Sequence, residues 1–272
     1  MGETLRFRLL DPFGVEIQRD LSEPLTASEA DHLRALFNEH ALILARNQSL
    51  TMTQQRALCA HLGPILDRAG EDGLMTNERG GPSTSELAWH ADAAYTEHPF
   101  DALSLHALDV VDGASSTRFV SAEQALDRLP PEMRRALQHA EQEMISPHYT
   151  ALAARTCERR DREAQKRGTR PTIVTNPHNA RPCVWVNELQ TARLLGMAWE
   201  ENRDLLNAVF DRVYAPEAVF EHRWRNGDLI VWDNIALQHT RGNLEGVGRR
   251  VLQRVIVGRE GVAPHISVER AA

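Results

Sequence analysis

Cysteine is scarce in this chain. Its 272 residues hold three, Cys59, Cys157 and Cys183, far apart and with no Cys-x-x-Cys. That excludes a disulfide framework and a thiolate metal site, and it reads as reduced thiols in a cytoplasmic protein. Long apolar runs are absent too, so nothing spans a bilayer. The opening Met1-Gly2-Glu3-Thr4-Leu5-Arg6-Phe7-Arg8 has no apolar stretch of a secretory leader. Positive charge is in deficit: 31 Lys and Arg stand against 38 Asp and Glu, a formal net charge of -7, which argues against a general nucleic-acid binder. No internal repeat or low-complexity tail is visible. What remains, 42% hydrophobic and 25% charged residues, is ordinary for a globular enzyme. The length suits one large domain over 1–272 with a sizeable core.

The most informative stretch is Trp89-His90-Ala91-Asp92, with His239 far downstream in Trp232-Asp233-Asn234-Ile235-Ala236-Leu237-Gln238-His239. In a strand, residues i and i+2 share a face, so His90 and Asp92 can reach one ion with Ala91 turned away. Alone, His-x-Asp arises often by chance and fits a solvated turn. Two imidazoles and one carboxylate, however, cover one face of an octahedral metal and suit ferrous iron.

A second pattern lies in Gly248-Arg249-Arg250-Val251-Leu252-Gln253-Arg254-Val255-Ile256-Val257, which alternates like a strand. One face carries Arg249, Val251, Gln253, Val255 and Val257; the other carries Arg250, Leu252, Arg254 and Ile256. Arginines on an exposed edge strand guard against aggregation. On a strand lining a pocket, each guanidinium would clamp an anion through its planar fork. Arg250 and Arg254 fall 11 and 15 residues after His239.

On these pieces the chain resembles the taurine/2-oxoglutarate dioxygenase family, which includes the 2,4-dichlorophenoxyacetate dioxygenases. The likeness is carried by Trp89-His90-x-Asp92 with Tyr95, by the Trp-Arg-Asn-Gly-Asp-Leu-Ile-Val-Trp-Asp-Asn run over 224–234, by His239, and by Arg250 and Arg254. It runs from about Leu5 to Gly258. The resemblance implies a mainly β, α+β fold with a double-stranded β-helix (jelly-roll) core and flanking helices. It also implies Fe(II), 2-oxoglutarate and O2, and a homodimer or higher oligomer. His90, Asp92 and His239 match the iron ligands. Arg250 and Thr117 match the pair that holds the far carboxylate of 2-oxoglutarate, and Arg254 matches an arginine holding the anionic end of the prime substrate. Departures from the taurine enzyme fall at Arg68, Glu86 and Tyr95, so the substrate pocket is remodelled away from taurine toward another small anionic or zwitterionic compound. By default the implied reaction is hydroxylation, with release of succinate and CO2. Two other readings of the same donor set are a non-catalytic jelly-roll metal-binding protein and a zinc hydrolase; neither needs a dicarboxylate clamp at Arg250 and Thr117.

Capping signals predict helices after Thr26-x-x-Glu29, Thr51-x-x-Gln54 (through Leu58 and Leu62) and Ser121-x-x-Gln124. Pro130-Pro131 precedes a helix over about 132–146, and another spans 200–213. Strands are expected at 41–45, 87–92, 102–110, 183–187, 219–224, 228–232 and 249–257. Insertions near 68–86 and 146–175 are expected at the mouth of the barrel. Arg159, Arg160 and Arg162 in the second belong to a mixed-charge run that suits a solvated helix or an anion-attracting lid. Asp233 is read as a turn residue, or as a partner that orients His239. The remaining histidines show no ligand pairing.

Overall fold

The computed structural model describes residues 4–66, 73–78, 84–147, 153–158 and 166–259. Its helices begin where side chains satisfy the orphan N–H groups of a first turn. Thr26 accepts from the Glu29 N–H while the Glu29 carboxylate accepts from the Thr26 N–H, opening α1 (Ala27–His40). Thr51 and Gln54 do the same for α2 (Met52–Cys59), which ends before Leu62. Ser121 caps α3 (Ala122–Arg128) through the Gln124 N–H, and Pro131 begins α4 (Pro131–Gln138). Helix α5 (Trp199–Val213) turns Leu206, Val209, Phe210 and Val213 inward.

The helix expected over 132–146 stops at Gln138, and Glu141–Ile145 is a strand. Its alternation explains the correction: Gln142 and Met144 are buried, whereas Glu143 faces Arg167 and Arg193. Pairing on both sides overrides the helix-favouring Glu and Gln.

In chain order the strands are β1 (Phe7–Leu9), β2 (Val15–Ile17), β3 (Leu42–Ala45), β4 (Leu74–Thr76), β5 (Leu87–His90), β6 (Ala102–Val110), β7 (Ser116–Ser121) and β8 (Glu141–Ile145). They continue as β9 (Arg167–Pro171), β10 (Ile173–Thr175), β11 (Pro182–Val184), β12 (Thr191–Leu194), β13 (Val219–Arg223), β14 (Leu229–Asp233), β15 (Leu237–Arg241) and β16 (Arg250–Val257). A seven-stranded sheet has the order β1-β2-β3-β14-β6-β16-β4, and a four-stranded sheet the order β13-β7-β15-β5. Two smaller sheets, β12-β8-β9 and β10-β11, lie beside them in the chain's middle. Strand β16 sits between β6 and β4, so its arginines do not belong to a sheet edge.

Leu103, Leu105, Ile230, Trp232, Leu252 and Ile256 of the larger sheet share one core with Phe119 and Leu237 of the smaller. The larger sheet's other face packs Val15, Ile43, Val231, Val255 and Val257 against α1 and α2. The smaller sheet's other face packs Trp89 and Val120 against α3 and α5. Each large aliphatic side chain so buried contributes about 1.5–3 kcal/mol. The result is a sheet-rich α/β structure in which strands remote in sequence become neighbours. Cys59, Cys157 and Cys183 are buried and unpaired, and burial pushes the Cys59 and Cys157 thiols up to about 12. Among the described residues, no helix is long and apolar enough to cross a membrane.

Candidate metal centre

His90 ends β5 and lies directly opposite His239 on β15, with ring centroids 4.2 Å apart. The His239 ring packs edge-on to Trp232 at 5.1 Å, inside the inter-sheet core. Asp92 arrives differently from the strand alternation expected for it. Strand β5 stops at His90, and Asp92 opens a turn over 92–95. Asn234, fully buried, holds that turn: its Oδ1 accepts from the Asp92 N–H at 2.8 Å, and its Nδ2 donates to the carbonyls of Asp92 (2.9 Å) and Phe100 (3.0 Å).

Asp92 Oδ1 lies 3.2 Å from His90 Nε2 and 3.8 Å from His239 Nε2, and one ligand atom from each residue falls within 4.8 Å of the others. Adjacent donors on an octahedral ion with bonds of about 2.1 Å stand about 3 Å apart, so the set fits a small divalent metal with little movement. The His90 Nδ1 is 2.8 Å from the Ala88 carbonyl, which can only accept; the proton is therefore on Nδ1 and Nε2 offers a lone pair. Burial and the neighbouring His90 push His239 down to about 3, which favours the neutral ring that a metal would need. Burial alone would raise Asp92; the neighbouring His90 and His239 rings and the Arg254 guanidinium hold it well below the usual carboxylate range.

Arg250 opens β16 and is 3% exposed. Asn77 fixes its backbone, accepting from the Arg250 N–H at 2.9 Å and donating from its own N–H to the Arg250 carbonyl at 3.3 Å. Among the described residues Arg250 forms no ion pair, and its Nε has no hydrogen-bond partner. Arg249, one residue earlier, points outward to Asp109 and Glu78. Burial, with Arg241 nearby, lowers the Arg250 guanidinium to about 9. A buried cation without a counter-ion is unfavourable by several kcal/mol, so the arrangement suits an incoming anion.

Thr117 is buried on β7, and its Oγ1 accepts from Trp224 Nε1 at 3.0 Å. Arg254 is partly buried on the same face of β16 as Arg250, and its N–H donates to the Gly73 carbonyl. Tyr95 closes the Asp92 turn and is buried with Ala91, Ala94, Trp185 and Ile235. Gly168 on β9 passes so close that a Cβ there would overlap the Tyr95 carbonyl oxygen. Glu86 is exposed just before β5. Arg68, Arg159, Arg160 and Arg162 lie outside the described residues. Asp233 accepts from the N–H groups of Ile235 and Ala236 and from Asn176 Nδ2; it makes the turn rather than orienting His239. Asn234, which holds the Asp92 turn, looks in the sequence like part of the turn at 232–234 alone.

Two buried histidines and a carboxylate beside a two-sheet core define a candidate metal-binding centre. More narrowly, residues 6–256 match the taurine catabolism dioxygenase TauD, TfdA family, and the chain belongs to it. It is 23% identical over 260 residues to an alpha-ketoglutarate-dependent 2,4-dichlorophenoxyacetate dioxygenase of Cupriavidus pinatubonensis, covering 86% of this chain and 90% of that one. It is 27% identical over 186 residues to pentalenolactone F synthase of Streptomyces arenae; that match spans 62% of this chain and only 61% of the synthase. In fold it is similar to the crystal structure of AAD-2 in complex with Mn(II) and N-oxalylglycine, with a TM-score of 0.78, 23% identity and coverage of 94% and 98%.

Proposed function

We propose that this protein is an Fe(II)- and 2-oxoglutarate-dependent oxygenase that hydroxylates a small anionic or zwitterionic organic substrate. Its two facing sheets are the halves of a double-stranded β-helix in a single domain over 1–272, with the insertions near 68–86 and 146–175 at the mouth. The observation that supports the reading is a buried Arg250 that has no counter-ion among the described residues, in the same inter-sheet interior as three converging metal donors. A structural zinc site or a hydrolase has no use for that cation.

His90, Asp92 and His239 would hold the iron and leave its other positions open. Ferrous iron with 2-oxoglutarate and O2 supplies the oxidising chemistry, with succinate and CO2 released. The chain's own work is aim. His90 is locked in one tautomer by Ala88, Asp92 is fixed by Asn234, and Arg250 with Thr117 grips the co-substrate's far carboxylate, setting its orientation. Arg254 would orient the substrate by its carboxylate, sulfonate or phosphonate, with Tyr95 and Glu86 shaping the rest of the pocket. The relatives' named substrate 2,4-dichlorophenoxyacetate, a carboxylate, supports an anion as the ligand of Arg254.

The test is anaerobic addition of Fe(II) and 2-oxoglutarate, followed by a screen of amino acids, sulfonates, phosphonates and aryloxy acids scored by succinate release. A visible charge-transfer band and substrate-stimulated succinate are expected. Retained zinc with neither signal would overturn the assignment.

A further inference from the structure

Strand β15 presents more to the interior than a metal ligand. Leu237 and His239 face the inter-sheet core. Gln238 and Thr240 turn the other way, Gln238 to the carbonyls of Val184 and Val186 and Thr240 to that of Leu87. Alternation therefore sends Arg241 inward with His239. The pairing of β15 with β7 runs from Leu237 opposite Ser121 to Thr240 opposite Arg118. Continued one step past its last pair, this register would set Arg241 opposite Thr117; on the other side of β15 the pairing with β5 is bulged between His239 and Arg241. Directly opposed residues of an antiparallel pair share a face, with Cβ atoms about 4.5–5.5 Å apart. A guanidinium thus starts beside the Thr117 hydroxyl. Arg241 is 8% exposed, and its Nη2 donates to the Ser85 carbonyl at 2.6 Å, which fixes the arm's direction.

We propose that Arg241 is a further donor to the far carboxylate of 2-oxoglutarate, completing with Arg250 and Thr117 a clamp of two guanidiniums and a hydroxyl. This rests on the co-substrate reading given above. A carboxylate offers about four acceptor sites, enough for such a set. The charges agree in placement: the Arg241 guanidinium bears on both His239 and Arg250, so it lies within range of each. Two buried guanidiniums repel each other, and an anion between them relieves both. The alternative role for Arg241 is a strut that ties the chain at Ser85 to β15.

The two roles separate on a co-substrate lacking the far carboxylate. The full-length protein with Fe(II), kept anaerobic, is titrated with 2-oxoglutarate and with 2-oxopentanoate, following the charge-transfer band. For Arg241→Met, 2-oxoglutarate binding should weaken about tenfold while 2-oxopentanoate binding changes less than about twofold. Arg241→Lys, which keeps the charge but loses the fork, should give the same pattern at about threefold, and it serves if the Met variant does not fold. Equal weakening for both keto acids would mean a strut and overturn the proposal, as would no change for either. The control is Arg250→Met. If wild type does not discriminate the two keto acids, or Arg250→Met leaves their ratio intact, the co-substrate reading itself falls, a failure distinct from that of Arg241.

Discussion

The seven-stranded sheet packs Val15, Ile17, Ile43, Val231, Val255 and Val257 against two helices, and the buried Ser104 and Gln253 of that face are both tied to Gln55 of α2. The four-stranded sheet, a little over half its width, buries His90, Thr117, Gln238, His239, Thr240 and Arg241. The contrast shows what burying polar groups demands. Gln238 is satisfied by two carbonyls and by the Tyr214 hydroxyl, and Thr240 by the Leu87 carbonyl. Helices α3 and α5 brace the same strands from outside. The smaller sheet gains fixed donors through this outer support. The larger sheet gains a stiff platform from which Arg250 reaches in and Asn234, just past β14, holds the Asp92 turn.

If the histidines of the smaller sheet hold the metal and Arg250 of the larger one grips the co-substrate's tail, substitutions at the two places should fail differently. The largest effect is expected for His239→Ala. Iron binding and the charge-transfer band should be lost together, with succinate release at background, while the circular dichroism spectrum stays native. A variant that still binds iron stoichiometrically would remove His239 from the ligand set. Next is Arg250→Met, which should keep iron affinity and weaken 2-oxoglutarate by about 1.5–3 kcal/mol, roughly 10- to 150-fold, the size of a charged hydrogen bond. Comparable loss of iron and co-substrate would erase the division between the sheets. The smallest is Asn234→Ala, which should cost about 10- to 100-fold in iron affinity, as expected when a group orienting a ligand is removed. Equilibrium dialysis against a metal chelator measures it, and an unchanged affinity would show that the Asp92 turn holds itself.

The sequence made legible what depends on spacing along one element. His90 and Arg250 stand out in the sequence because strand alternation and offset are local properties. The capping boxes at Thr26 and Thr51 formed as read because they are closed within four residues. Features that depend on contacts between distant strands were harder to see. Strand β7, which carries Thr117, and β15, which carries His239, are stabilised by their pairing with each other and were not expected as strands. Asp92 was assigned to a strand face, yet a side chain 142 residues away positions it from a turn. The 141–145 segment favours helix by composition and becomes a strand only because β9 and β12 flank it.

Gly168 gives the long connection between β8 and β10 a mechanical bearing on the iron carboxylate. Bare backbone is all that fits against Tyr95, three residues beyond Asp92. Any side chain introduced there has one direction in which to push, into the loop that aims the carboxylate. At this point even a methyl group would press on the turn that carries Asp92.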